Sequence, residues 1–124
     1  MKIIVAGCRD FTDYDFFKKK LDLFFKNLIT VEVEIVSGGA RGVDSMAIKY
    51  AKEKELRWII FPADWDKHGK AGGFIRNQLM AEYSEGLLAF WDFKSKGTMD
   101  MIDRAKKHKL KIKIINIHDH MDFK

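Results

Sequence analysis

The run Ser37-Gly38-Gly39-Ala40-Arg41-Gly42-Val43-Asp44-Ser45 sets three glycines between a β-branched stretch and an amphipathic one. Glycine allows a tight turn and lets an anion approach bare backbone N–H groups. The first turn of a following helix adds unpaired donors and a positive dipole end. The chemistry on offer is phosphate binding by backbone. An ordinary strand-to-helix turn, with Gly39 and Gly42 easing close packing, would use the same residues. The run is not G-x-G-x-x-G and lacks the G-K-[ST] of a P-loop, so neither a standard dinucleotide fold nor a P-loop NTPase is indicated.

Other residues could join it. Lys96-Gly97-Thr98 opens a predicted helix, where Thr98 either caps the helix or donates to a phosphate. Asp100 in that turn would repel an anion unless it points away or meets a sugar hydroxyl. Arg9, Arg41 and Arg76 fall at strand ends or helix starts, and the arginine fork matches phosphate oxygens. Trp65 either stacks on a base or anchors a lid, Asp64 or Asp66 could take ribose hydroxyls, and Asn77 could contact a base or carboxyl. Cys8 has no paired base except His68 at a distance, so it reads as a small buried residue. His118-Asp119-His120 lacks a third partner of fixed geometry, so neither a metal nor a cofactor is expected.

These side chains need a scaffold, and the pattern supplies one. Apolar runs at 2–7, 31–38, 57–62, 86–91 and 111–116 read as strands. Helical periodicity occupies 12–28, 42–54, 74–84 and 98–109, and residues 63–72 read as a polar loop. Thr12 and Asp15 resemble a capping box, and Phe17, Leu21, Phe24 and Leu28 form the apolar stripe of the first helix. Five strands alternating with four helices imply an α/β, Rossmann-like three-layer sandwich. Its sheet is mainly parallel, with expected order 3-2-1-4-5. In such a sheet ligands bind beyond the carboxyl ends of the strands. That rule gathers 7–10, 37–42, 63–77 and 92–98 at one edge.

Composition narrows the class. The chain has 124 residues, enough for one domain, expected over 1–116 with a tail at 117–124. One proline and nine glycines exclude collagen and a disordered linker. The one cysteine excludes an intramolecular disulfide scaffold and fits a reducing, cytoplasmic setting. No apolar run approaches the ~20 residues of a membrane helix. Twenty-three basic residues against 18 acids give a net charge of +5. Six of them fall in 104–113, without an acid and without interleaved aromatics. This stretch reads as a dipole-matched helix end and a protected edge strand, so nucleic acid is a weaker expectation than a small molecule.

The segment S-G-G-A-R-G-V-D-S-M-A resembles the SLOG superfamily, the Rossmann-like group that includes DNA-processing proteins and the Lonely Guy enzymes. G-C-R-D-F looks like its G-[ST]-R-x-[FY] element. F-P-A-D-W-D-K-H-G-K-A-G-G-F-I-R-N-Q-L-M is similar to the third-loop signature of the YspA, cpYpsA-related group, and S-K-G-T matches its terminal G-T. Cys8 stands where serine or threonine is usual, and Phe74 where proline is common. The resemblance implies binding of a nucleotide or nucleotide-derived ligand. The candidate positions are Gly7, Cys8 and Arg9, then Ser37, Gly38, Gly39, Gly42 and Asp44, then Asp64, Trp65, Arg76 and Asn77, and finally Gly97 and Thr98. Lonely Guy phosphoribohydrolases carry a catalytic glutamate in G-G-x-G-T-x-x-E; here that position is Met101, which places glycosidic cleavage below simple binding. Single-stranded DNA binding is a further alternative through the shared S-G-x-A-R-G-[IV]-D element. SLOG relatives often assemble, and Phe16, Phe25 and Phe123 are candidates for an interface.

Overall fold

Alternate residues of the first strand bury on opposite faces, which fixes it in the middle of a covered sheet. In β1 (Lys2–Gly7), Ile3 and Val5 join one core cluster and Ile4 and Ala6 the other. The computed structural model describes residues 1–26 and 32–118. After β1 come α1 (Tyr14–Phe25), β2 (Glu34–Ser37), α2 (Val43–Glu53) and β3 (Arg57–Ile60). A short helix α3 (Trp65–His68) and a 3-10 turn (Gly69–Ala71) lead into α4 (Gly72–Tyr83), β4 (Gly86–Trp91), α5 (Lys96–Lys107) and β5 (Lys111–Asn116). The sheet order is β3-β2-β1-β4-β5, with every neighbouring pair parallel. One core cluster lies beneath α1 and α2 and the other beneath α4 and α5, giving the expected three layers. Among the described residues no helix is long and apolar enough to cross a membrane.

The differences from expectation are local and have local causes. Asp13, not Thr12, caps α1: its carboxylate accepts the Phe16 N–H at 3.1 Å, so the helix starts at Tyr14. The buried stripe is Phe17, Leu21 and Phe25, spaced by four, while Phe24 is 40% exposed. Phe25 is therefore core and unavailable to an interface. Leu28, Val31 and Phe123 lie outside the described residues. The expected loop at 63–72 contains α3 because the Asp64 carboxylate accepts the Lys67 N–H at 3.0 Å. Four residues, three of them polar, carry no periodicity to announce a helix. α4 begins two residues earlier than expected. α5 also begins earlier, capped by Ser95, which leaves Thr98 inside its first turn. β5 exposes Lys111 and Lys113 and turns Ile112 and Ile114 to the core, as an edge strand should. Ile117, counted with the tail by the sequence pattern, extends the ladder through its N–H to Trp91 O and is buried.

Candidate functional site

A cleft of about 860 Å³ opens beyond the carboxyl ends of β1, β4 and β5, where the topology rule expects it. Its floor starts with the loop after β1. Gly7 is needed there because β4 presses against it: a Cβ would lie 2.4 Å from the Phe90 carbonyl oxygen. Cys8 is buried and donates its N–H to Phe90 O at 3.2 Å. Burial is the main cause pushing its thiol up to about 11, so it is not a thiolate at neutral pH. Arg9 follows, exposed on the wall.

The glycine loop is tied down by the protein's own groups. Ser37 Oγ donates to Asp44 O at 3.0 Å and accepts the Gly39 N–H at 3.1 Å. Asp44 Oδ2 accepts the Ala40 N–H at 3.2 Å, and the Val43 N–H donates to Cys8 O at 3.2 Å. Arg76 Nη1 donates to Gly38 O at 2.7 Å, and a Cβ on Gly38 would stand 2.2 Å from that nitrogen. Gly42 has φ +75°, and its missing Cβ would fall 2.4 Å from Arg9 O. These glycines thus admit protein groups, and the Asp44 carboxylate occupies one of the loop N–H groups, that of Ala40. Burial pushes the Asp44 carboxyl up to about 6, against the pull of the Ala40 N–H, Arg76 and Arg9. Burial likewise lowers Arg76 from its usual value, opposed by Asp44.

A second network locks α4 to α5. Arg76 Nε donates to Asn77 Oδ1 at 3.1 Å, and Asn77 Nδ2 donates to Asp100 Oδ2 at 3.0 Å. Arg104 Nε donates to the same Asp100 oxygen at 2.8 Å. Asp100 therefore turns toward Asn77 and Arg104. At the start of α5, Asp92 Oδ1 accepts the N–H groups of Lys94 and Ser95, both at 2.8 Å. Burial would raise the Asp92 carboxyl, but those donors outweigh it and hold it below its ordinary value. Ser95 Oγ accepts from Thr98 N and Thr98 Oγ1, so Thr98 is a buried member of this turn and not its cap.

Nine of the candidates line the cleft: Gly7, Cys8, Arg9, Asp44, Trp65, Arg76, Asn77, Gly97 and Thr98. Gly38 and Gly39 line a smaller hollow of about 470 Å³ beside it. Ser37, Gly42 and Asp64 are on neither wall; they hold the loop, its contact with β1 and the cap of α3. Trp65 is 48% exposed, with its ring against Gly72 and Gly73, where added Cβ atoms would sit 3.2 Å from it. Arg41 pairs with Asp10 at 3.1 Å, both exposed. Residue-level reading missed Lys70, Phe74 and Lys94, although the segments holding them were placed at this edge. It also missed His118 on the wall; its position beyond the carboxyl end of β5 was the available signal. Asp119 and His120 lie outside the described residues, among which no group of three or more His, Cys, Asp or Glu could hold a metal.

Residues 1–68 match the model of the YspA, cpYpsA-related SLOG family. Gene 61 protein of Mycobacterium phage D29 is 34% identical over 91 residues, covering 68% of this chain and 71% of that protein. DNA processing protein A of Streptococcus pneumoniae superposes with a TM-score of 0.74 at 20% identity, over 98% of this chain and 54% of its own. DNA processing protein A of Helicobacter pylori, described by its single-stranded DNA binding mode, gives 0.70 at 21% identity, over 92% and 64%. The chain spans less than two thirds of either of these two structures, and at such identities the likeness is one of fold.

Proposed function

Because the chain belongs to the YspA, cpYpsA-related SLOG family, we propose that it binds a nucleotide or nucleotide-derived ligand in the cleft at the carboxyl edge of its sheet. The observation that carries this reading is the division of labour among the cleft arginines. Arg76 is buried and spent on Gly38 and Asn77, and Arg41 is paired with Asp10. Among the described residues, no hydrogen bond or ion pair engages the Arg9 side chain, which stands exposed on the wall. A phosphate meets Arg9, and the half-exposed ring of Trp65 offers a base a face to stack on. The buried network of Asp44, Arg76, Asn77 and Thr98 keeps the wall rigid beneath the ligand.

Phosphoribohydrolase chemistry has less support. Met101, at the position of the Lonely Guy glutamate, is a buried apolar floor residue, Asp100 is engaged by Asn77 and Arg104, and Asp103 is exposed and off the cleft wall.

Thermal unfolding against a panel of mono-, di- and cyclic nucleotides tests the binding reading. A ligand at one hundred times its Kd stabilises by about 2.7 kcal/mol, and Arg9→Ala is expected to abolish the shift. Failure of every nucleotide to raise Tm overturns it. Arg76→Ala is the poorer probe, because it strips Gly38 O and Asp44 of their partner and destabilises the fold by itself.

Single-stranded DNA is the second reading, favoured by the shared fold of the Helicobacter pylori protein. It predicts binding that weakens steeply with salt; its absence at low salt eliminates it.

A further inference from the structure

The two hollows at the carboxyl edge differ in charge while sharing a wall. Arg9, Arg41, Trp65 and Arg76 line both. The larger cleft carries carboxylates as well, among them Asp10, Asp44 and Asp92. The smaller one has three guanidinium groups and no acid among its lining residues; the rest of its wall is glycine, alanine, Ile60, Pro62 and Trp65. Its shape is fixed from below. Gly39 takes φ +75° with Ile60 against its bare face, and Arg76 fills the bare face of Gly38. At about 470 Å³ it is large enough for a group of nucleobase size.

A mononucleotide needs one compartment for its base and sugar and a cationic place for its phosphate. The larger cleft and Arg9 supply these without the second hollow. The leftover compartment has Ile60, Pro62 and Ala63 on its wall beside the Trp65 ring, and it borders the arginines it shares with the larger cleft. An anionic bridge on that wall would be met from both sides, and an uncharged flat group beyond it would meet Ile60, Pro62 and Ala63.

We propose that the ligand is a pair of nucleosides joined through phosphate, one in the larger cleft, the bridge at Arg9, and the second base in the hollow between Gly38–Arg41 and Ile60–Ala63. This rests on the nucleotide-binding reading and names the ligand class within it. A free dinucleotide and a step of a single DNA strand present the same chemistry.

The test compares thymidine monophosphate, the 5′-phosphorylated thymidine dinucleotide and a thymidine dodecamer by calorimetric titration of the full chain. The dinucleotide is expected to bind about tenfold tighter than the mononucleotide, the gain expected from burying a second base against apolar side chains. Ala63→Trp, which fills the hollow, should erase that advantage while leaving mononucleotide affinity within about twofold. Amide shifts in the wild-type chain give a readout independent of that variant's folding: Gly39 and Ala63 should move with the dinucleotide and not with the mononucleotide. Equal affinity for the two overturns the proposal and leaves the cleft reading standing. If no probe binds, the nucleotide reading falls and this proposal falls with it. A dodecamer no tighter than the dinucleotide supports a free small ligand; a further gain with length supports a strand.

Discussion

Asp44 makes the glycine loop sensitive to protons. In an unfolded chain its carboxyl titrates at its ordinary value of 3.8; in the fold, burial moves it to about 6. Between those values the folded state keeps a proton that the unfolded state has released, so stability falls as pH rises from about 4 to about 6 and is level above. The drop is at most about 3 kcal/mol. Asp44→Asn keeps an acceptor for the Ala40 N–H and does not titrate, so its stability in urea should lose this slope; an unchanged slope would assign it elsewhere. A phosphate bound at Arg9, as proposed, would hold the Asp44 proton more firmly. Affinity for a phosphodiester ligand, whose own charge is constant in this range, is therefore expected to rise, by up to about tenfold, from about pH 8 to about pH 6, and a flat profile would separate Asp44 from the ligand. At this scale the sequence was legible in residue type more than in role. Arg76 reads as an anion binder because a guanidinium suits any oxygen, and only the folded chain shows that its oxygens are Gly38 O and Asn77 Oδ1.

The elements of the site are joined where two loops touch. Gly42 lies against the backbone of Cys8 and Arg9 at φ +75°, so Gly42→Ala brings a Cβ within 2.4 Å of a carbonyl oxygen in an unfavourable conformation. We expect it to cost more than about 2 kcal/mol in denaturant titration; a neutral effect would mean the loops separate easily. The turn before α5 is held differently, by Asp92 on two backbone donors. Asp92→Ala should cost about 1 kcal/mol and speed hydrogen exchange at Lys94 and Ser95; unchanged exchange there would show that the turn holds without it. Strand order was legible because apolar runs and helical periods alternate cleanly. Element boundaries were not, since neighbouring polar side chains compete to cap. Thr12 and Asp13 are both suitable caps, as are Ser95 and Thr98, and which reaches the free N–H depends on the incoming backbone.

For the molecule as a whole, the +5 charge and the site part company. α5 begins at the cleft and runs twelve residues, roughly 18 Å, toward the opposite edge of the sheet. Lys106, Lys107 and Lys109 are exposed at that far end, beyond the ~10 Å over which exposed charges act in 0.1 M salt. Replacing all three with glutamine should leave nucleotide affinity within about twofold, whereas Arg9→Ala should lower it about tenfold or more. Equal losses from the two variants would extend the binding surface to the basic end. The sequence pattern had already separated this stretch from the site through its lack of aromatics. The cleft itself was legible from topology, since strand ends converge whatever their side chains. The second hollow was not, because it depends on how Ile60 and Trp65 pack over the glycine loop.

The central position of β1 also bears on how the chain is made. β1 is synthesised before the other four strands of its sheet, and β2 covers one of its edges soon afterwards. Its other edge pairs through Gly86–Trp91, which emerge only after α2, β3 and α4 have been synthesised. Until then that row of N–H and C=O groups stays open, a template for wrong partners. The cleft floor closes with the same late event, since Cys8 gives its N–H to Phe90 O. The cleft therefore cannot form before β4 docks, and a nascent chain halted at His68, where the family match ends, would hold the glycine loop without it.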